Sequence, residues 1–485
     1  MIYLVVALAY AAASGTRLKG HSPYIHYVVM AQDLLHGRLA LADQPPDQED
    51  WAVLDELTLV DGRTVRGVFL QAGGDPHRFK TTRGQRLVIA PEDIRSRRRV
   101  SYVSFPWLPA VLLMPFVALW GLRFNDVLFD VLFGALNPML VYLVLRQLQE
   151  RGYSRRSTVD NLWLTGLFAF GTVHFYSAVI GQTWYMAHLI GTALTALYVL
   201  AALDARHPAR AGLYLGLGFL ARTPIPFAFP FIVGEILRRY GPAPDTGTDA
   251  VPRTHGGART DGGARTDADA SAPAPSWIGR AIALWRRLDR GAALRALVRA
   301  ALPAFAVAAV AGAFNYARFD SPFEFGHAFL NVRWTERIQR WGLFNYHFIS
   351  RNLAALLVLL PRILPHAPFV QLSHHGLSVF FVTPIFAYLI WPQRRSPLQL
   401  ALYLSCLLPL ILHLLYQNSG WQQFGPRFSL DYTVYLMMLL AVGGYRLGPR
   451  AKALILWAVL INTFGAITFY RMSGTFYYDD LLAVP

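Results

Sequence analysis

Residues 212–231 read GLYLGLGFLARTPIPFAFPF. The run is apolar or small on all sides except at Arg222-Thr223-Pro224, where a cation and a proline interrupt it. Proline lacks the N–H that an uninterrupted helix needs, so the run predicts two short helices that meet at Arg222. Its flanks are basic, with Arg206 and Arg210 ahead and Arg238 and Arg239 behind. Short basic loops stay on the cytoplasmic side of a membrane. The run therefore enters and returns on one side, as a helical hairpin whose tip, Arg222, points away from the cytosol.

The rest of the chain reads the same way. Of its 485 residues 54% are hydrophobic, 14% aromatic and only 15% charged, with a mean hydropathy of +0.33. A soluble protein carries about 25% charged residues, which argues against a water-soluble enzyme, and the apolar content excludes disorder for most of the chain. The single cysteine, Cys406, excludes a disulfide framework and a cysteine metal cluster. The formal charge of +16 is assigned to cytoplasmic loops, and no nucleic-acid partner is expected. Besides the hairpin, apolar stretches run over 1–13, 105–122, 127–145, 162–180, 184–203, 302–317, 352–364, 377–391, 398–416, 430–443 and 453–470. A helix needs about 20 residues to cross the hydrocarbon core.

Basic clusters at 146–156, 206–210, 238–299, 394–395 and 446–452 must lie on one side, and counting crossings between them leaves about eleven spans. In that count 1–13 is an uncleaved first span and 105–122 and 352–364 lie at the interface. The expected fold is an all-α polytopic protein of the cytoplasmic membrane with the C-terminus outside.

The inserts divide the chain. An N-terminal transmembrane module covers 1–240, with a long external loop over 14–104. Within it, 57–60, Asp61-Gly62 and 64–70 predict a β-hairpin and 86–89 a further strand, giving a small external β-rich insert over 51–100. Residues 241–275, with their GGART repeat, read as a disordered cytoplasmic linker. Residues 276–300 read as an amphipathic helix on the inner surface. A C-terminal module covers 301–485, with an external loop over 319–376. There NVRWTERIQRW (331–341) predicts a helix bearing Arg333, Arg337 and Arg340 at i, i+4, i+7. It is either an interfacial anchor or a wall of a phospholipid-type site.

Candidate chemistry rests on polar groups at span ends, because charge at membrane depth is costly and functional by default. Arg222 and Arg427 are candidate anion-binding cations, with Asp431 at i+4 as a possible internal partner for Arg427. Gln182 and Trp184 suit a sugar by hydrogen bonding and stacking, and His188 follows them as a binding or structural residue. Glu324 and His327 are either candidate bases or turn residues. Asp126 and Asp130 line a cavity or sit as helix N-terminal charges. The acidic run Asp47, Glu49, Asp50 reads as a solvated turn, so no metal is expected and no cofactor is called for. Walker, dinucleotide, zinc-protease and nucleophile-elbow motifs are missing from the sequence, which argues against ATP-driven transport and dinucleotide chemistry.

Four segments in this order resemble the GT-C superfamily of membrane glycosyltransferases. They are Tyr27-x-x-x-Ala31-x-x-Leu34-Leu35-x-Gly37 opening the first loop, SYVSFPWLPAVLLMPFVALWG (101–121), the hairpin of 212–231, and QFGPRFSLDYTVYL (423–436). The resemblance spans most of residues 1–470 outside the insert and linker. It implies a polyprenyl-phosphate-linked sugar donor, transfer to a glycan, lipid or protein acceptor on the outer face, and a base for the acceptor hydroxyl. It also implies arginines for the leaving phosphate, in the roles of Arg222, Arg427 and Arg333. One feature departs from the family. Its first loop carries an acid just ahead of the tyrosine, where this chain has HSPYIH (21–26). The base is then His26, Glu324 or the nearest acid, Asp33. A flippase of lipid-linked saccharides and a catalytically inactive lipid-binding homologue are the competing readings.

Overall fold

The computed structural model describes residues 1–45, 49–71, 76–241, 287–393 and 395–478. All of the expected linker except its first residue lies outside these. The chain is mostly helical. The main helices are α1 (Ile2–Ser14), α2 (His26–Leu35), α3 (Leu108–Trp120), α4 (Asp126–Glu150), α5 (Thr158–Phe170), α6 (Thr183–Ala202) and α7 (Pro208–Phe219). They continue with α8 (Pro230–Tyr240), α9 (Arg290–Phe319), α10 (Thr335–Trp341), α11 (Ile349–Leu357), α12 (Pro397–Leu415), α13 (Leu430–Val442) and α14 (Pro449–Thr468). Among the described residues five helices are long and apolar enough to cross a membrane: α4, α6, α9, α12 and α14. The chain is a membrane protein on that evidence.

The other apolar stretches form shorter or broken helices. The 162–180 stretch is cut between α5 and a one-turn helix at His174–Ala178, where Gly171 packs against Ala458 of α14 with no room for a side chain. The 377–391 stretch stops at Thr383-Pro384 and continues as a 3-10 turn. The separate surface helix expected over 276–300 does not form in its described part, because residues 290–300 are the first third of α9.

Packing follows burial. Twelve of the thirteen residues of α13 are buried, and a helix apolar on all sides belongs in the interior. Helices α4, α6 and α12 surround α13, while α9 lies at the rim against α7 and α8. Small residues permit that approach, since a Cβ at Gly212 of α7 would stand 1.7 Å from the Ala300 carbonyl. Helices α7 and α8 are about 18 and 16 Å long, too short to cross about 30 Å of hydrocarbon. The hairpin tip therefore stops inside the protein at the floor of a cavity.

The insert is a five-stranded antiparallel sheet of β1 (Trp51–Leu59), β2 (Thr64–Phe69), β3 (Arg78–Thr81), β4 (Arg86–Val88) and β5 (Ile94–Val103), in the order β4-β3-β2-β1-β5. The turn before β2 uses Gly62 at φ 85°. Ala52, Leu54, Val100 and Tyr102 of its inner face pack on Phe319 and Phe329, so the sheet stacks on the end of α9. Arg66 ties it down through Asp320 at 3.3 Å.

Candidate functional site

A cavity of about 910 Å³ lies between the root of the sheet, the hairpin tip and the turn that leads into α13. That volume is in the range of small-molecule sites. Six of the residues singled out from sequence line it: Trp184, His188, Arg222, Glu324, His327 and Arg427. The local fold brings each one in. The break between α7 and α8 presents Arg222. The start of α6 presents Trp184 and His188. A 3-10 turn at Arg427–Ser429 presents Arg427 ahead of α13.

Its floor is a charge cluster around Asp431. This carboxylate is 1% exposed and accepts from Arg222 Nε at 3.1 Å and Nη2 at 3.0 Å. His188 Nδ1 lies 3.2 Å and His413 Nε2 3.0 Å from it. A carboxylate only accepts, so these ring nitrogens carry the protons, a tautomer assigned from the network. The i, i+4 pair expected between Arg427 and Asp431 does not form. Arg427 precedes the helix in the 3-10 turn, and Asp431 turns to Arg222 instead. A Cβ at Gly191 of α6 would stand 3.0 Å from Arg222 Cγ, so glycine there leaves room for the arginine stem.

Arg427 is 4% exposed and has no carboxylate partner among the described residues. Its Nη1 donates to the Gln422 carbonyl at 3.2 Å. Its guanidinium lies over the rings of Tyr185 at 5.2 Å and Phe428 at 5.7 Å. Arg222 stands on the same Phe428 ring at 5.3 Å. Two guanidinium groups thus flank one aromatic ring, one neutralised by Asp431 and one not. An unpaired buried charge is expensive, and an anion entering the cavity relieves that cost.

The upper wall holds acids. Asp50, just before β1, accepts from Trp184 Nε1 at 2.7 Å and lines the cavity. This corrects its reading as a solvated turn residue. The Ser104 hydroxyl donates to the Asp50 carbonyl at 2.7 Å and joins the start of β1 to the end of β5. Glu324 Oε1 accepts from the backbone of Gly326 at 2.6 Å and Ala328 at 3.3 Å. Burial raises its carboxyl above the usual range. Burial, aided by Arg222 and Arg318, pushes His327 down to about 4.

His26, Asp33, Arg333 and Gln182 do not line this cavity. His26 is fully buried, stacked 3.9 Å from the Trp51 ring, with Nε2 2.8 Å from the Glu49 carbonyl. Asp33 pairs with Arg38 at 2.9 Å on α2. Arg333 is exposed and lies before α10, which begins only at Thr335, so the expected i, i+4, i+7 register does not extend to it. Gln182 caps α6 with φ 79°, and its N–H lies 3.4 Å from Asp126. Asp126 also holds Ser22 through N at 2.6 Å and Oγ at 2.5 Å. It fixes the turn that carries Trp184 and does not line the cavity. Sequence reasoning missed His413 altogether, although a titratable residue inside the apolar stretch 398–416 was the available signal.

The far wall is apolar. Ala308, Ala309 and Gly312 of α9, Phe227 of the hairpin and Leu412 of α12 line it. Helix α9 packs on α7 and α8, and α12 packs on α8 and the turn Ile225–Ala228, without broad contact between α9 and α12. Phe227 is 43% exposed in that gap. The cavity is thus amphipathic, with guanidinium groups and acids at one end and apolar side chains of α9, the hairpin and α12 at the other.

No family model and no curated protein matches the chain. One solved structure is similar, the apo oligosaccharyltransferase of Archaeoglobus fulgidus, at 12% identity and a TM-score of 0.43. The match covers 96% of this chain and 55% of that one, so the chain spans about half the length of that enzyme.

Proposed function

We propose that the chain is an integral-membrane glycosyltransferase that takes a sugar from a polyprenyl-phosphate donor and passes it to an acceptor hydroxyl at the outer face of the cytoplasmic membrane. The observation that carries this reading is Arg427, a buried guanidinium without a carboxylate partner among the described residues, in a cavity whose far wall is apolar. A phosphate on a long apolar chain satisfies both ends of that cavity. The headgroup lies against Arg427, with Arg222 beside it, and the isoprenoid leaves past Phe227, Ala308 and Leu412. The orientation follows from the basic loops at the other end of the helices, around Arg151, Arg206 and Arg239.

The chemistry uses the groups already in place. Asp50, oriented by the Trp184 N–H, takes the proton of the acceptor hydroxyl. The acceptor oxygen bonds to the anomeric carbon as the bond from that carbon to the phosphate oxygen breaks. The electron pair stays on the phosphate, whose added charge Arg427 and Arg222 stabilise. Asp50 takes the base role in place of His26, whose ring is stacked behind it on Trp51. The acid that the first loop lacks ahead of Tyr27 is supplied from further along the same loop. His188, Glu324 and His327 are left to contact the sugar.

The test is a labelled polyprenyl-phosphate sugar incubated with purified protein and a panel of acceptors. Transfer by the wild type and its loss in Asp50→Asn is the expected result. Binding without turnover in any acceptor supports an inactive lipid-binding homologue, and neither binding nor turnover supports a transporter.

A further inference from the structure

Strand β5 is the edge of the sheet, and its outer half reads Arg95-Ser96-Arg97-Arg98-Arg99, all exposed. Arg97 and Arg99 share one face with Asp55, Arg98 stands on the other opposite Glu56, and Arg95 lies at the bulge where the pairing with β1 shifts by one residue. The carboxylates cover only part of this charge. Arg97 holds Asp55 at 2.8 Å, Arg99 reaches the same carboxylate at 4.0 Å, and Glu56 is taken by Arg66 at 3.1 Å. The strand then runs straight into the cavity. Ser104 bonds the Asp50 carbonyl, and Phe105 and Pro106 line the wall. At about 3.3 Å per residue, Arg99 stands about 17 Å and Arg95 about 30 Å from that junction. Among the described residues only the inner end of the edge is closed, where the Leu41 N–H donates to the Ser101 carbonyl at 2.9 Å.

We infer that β5 is a docking track for the acceptor, and that the acceptor is an extended anionic polymer carrying phosphodiester or carboxylate groups. The word acceptor rests on the transferase reading; the polymer contact does not. Exposed guanidinium groups at residues 95, 97, 98 and 99 are spread over about 13 Å of this edge strand, a length that an extended anionic chain matches and a compact ligand does not. Arginine suits it because its planar fork pairs with phosphate or carboxylate in two hydrogen bonds. The bilayer is the other anionic surface at hand, and two observations disfavour it. The sheet stacks on the end of α9 through its inner face, and β5 carries no exposed bulky apolar side chain that would seat in a bilayer. Charge on an edge strand also deters pairing between chains, so the test must separate recognition from solubility.

The full chain in neutral-lipid nanodiscs is titrated with long-chain inorganic polyphosphate, with neutral dextran as the blank. The variant is R95Q/R98Q/R99Q, which leaves the Arg97–Asp55 pair intact. The control is R206Q/R210Q at the opposite end of the helices, and all three proteins are checked for monodispersity and melting. The variant is expected to bind polyphosphate about tenfold or more weakly than wild type, with the control unchanged. R427Q in the cavity is expected to leave polyphosphate binding intact, so failure of the donor site and failure of the track are told apart. Equal affinity of variant and wild type overturns the inference. So does a variant that keeps polyphosphate binding but loses co-purifying phosphatidylglycerol, because the strand then lies on the bilayer. A variant that differs only in aggregating shows that the arginines merely guard the edge, and this also overturns it.

Discussion

Asp431→Asn is the sharpest perturbation of the cavity floor. The carboxylate accepts four N–H groups, two from Arg222 and one each from His188 and His413. Asparagine keeps one acceptor oxygen and turns an N–H₂ group toward donors that need acceptors. Removing one partner of a buried ion pair costs about 3–5 kcal/mol. The Arg222 side chain is 20% exposed to the cavity and recovers part of that through water, which places the expected loss near about 3 kcal/mol. Equilibrium unfolding in detergent micelles measures it. The double variant R222Q/D431N should cost less than the sum of the singles, with a coupling of about 2 kcal/mol, because each single leaves the other charge stranded. A loss below about 1 kcal/mol for D431N, or strict additivity in the double variant, refutes the account of the floor as one charge-balanced unit.

Arg427→Met removes a buried cation that has no carboxylate, so stability should rise by about 1 kcal/mol while binding of polyprenyl phosphate is lost, both read on one preparation by melting and by ligand titration. His327 is held neutral in the folded chain, at about 4 against an ordinary 6.5. The unfolded chain therefore gains a proton first, and stability is complete above about 6.5 and falls as pH drops toward 4. H327Q should flatten that part of the stability–pH curve. Glu324 is shifted the other way by burial, so E324Q should gain on wild type as pH rises through the raised carboxyl value. Ala308→Trp should plug the gap between α9 and α12, weakening binding of the long-chain donor while a short-chain water-soluble analogue binds as before.

Arg222 and Arg427 were legible because a charge inside apolar sequence needs a reason wherever the chain folds. Asp50 was not. It sits in a polar loop beside two other acids, and only the return of β5 through Ser104 and the approach of Trp184 turn it into a cavity wall. The two register errors have one cause. Arg427–Asp431 and Arg333–Arg337 have helical spacing, but in each case the helix starts after the arginine. The count of about eleven spans is not confirmed, for a related reason. Apolar composition reports burial, and the interrupted segments at Gly171 and Pro384 are as apolar as a continuous helix. The sheet was visible from its turn residues and alternation, yet nothing in its sequence indicated that β1 and the edge strand β5 both root in the cavity.

The central claim is that Arg427 and Arg222 grip the phosphate of an isoprenoid-linked sugar whose chain exits between α9 and α12. An experimental structure of the chain with a non-hydrolysable polyprenyl-phosphate sugar analogue tests it most directly. The account predicts phosphate oxygens within hydrogen-bond reach of the Arg427 guanidinium, the sugar facing Asp50, and the isoprenoid against Phe227 and Leu412. Density for the analogue at the opposite end of the helices, or a phosphate held away from both arginines, would contradict it.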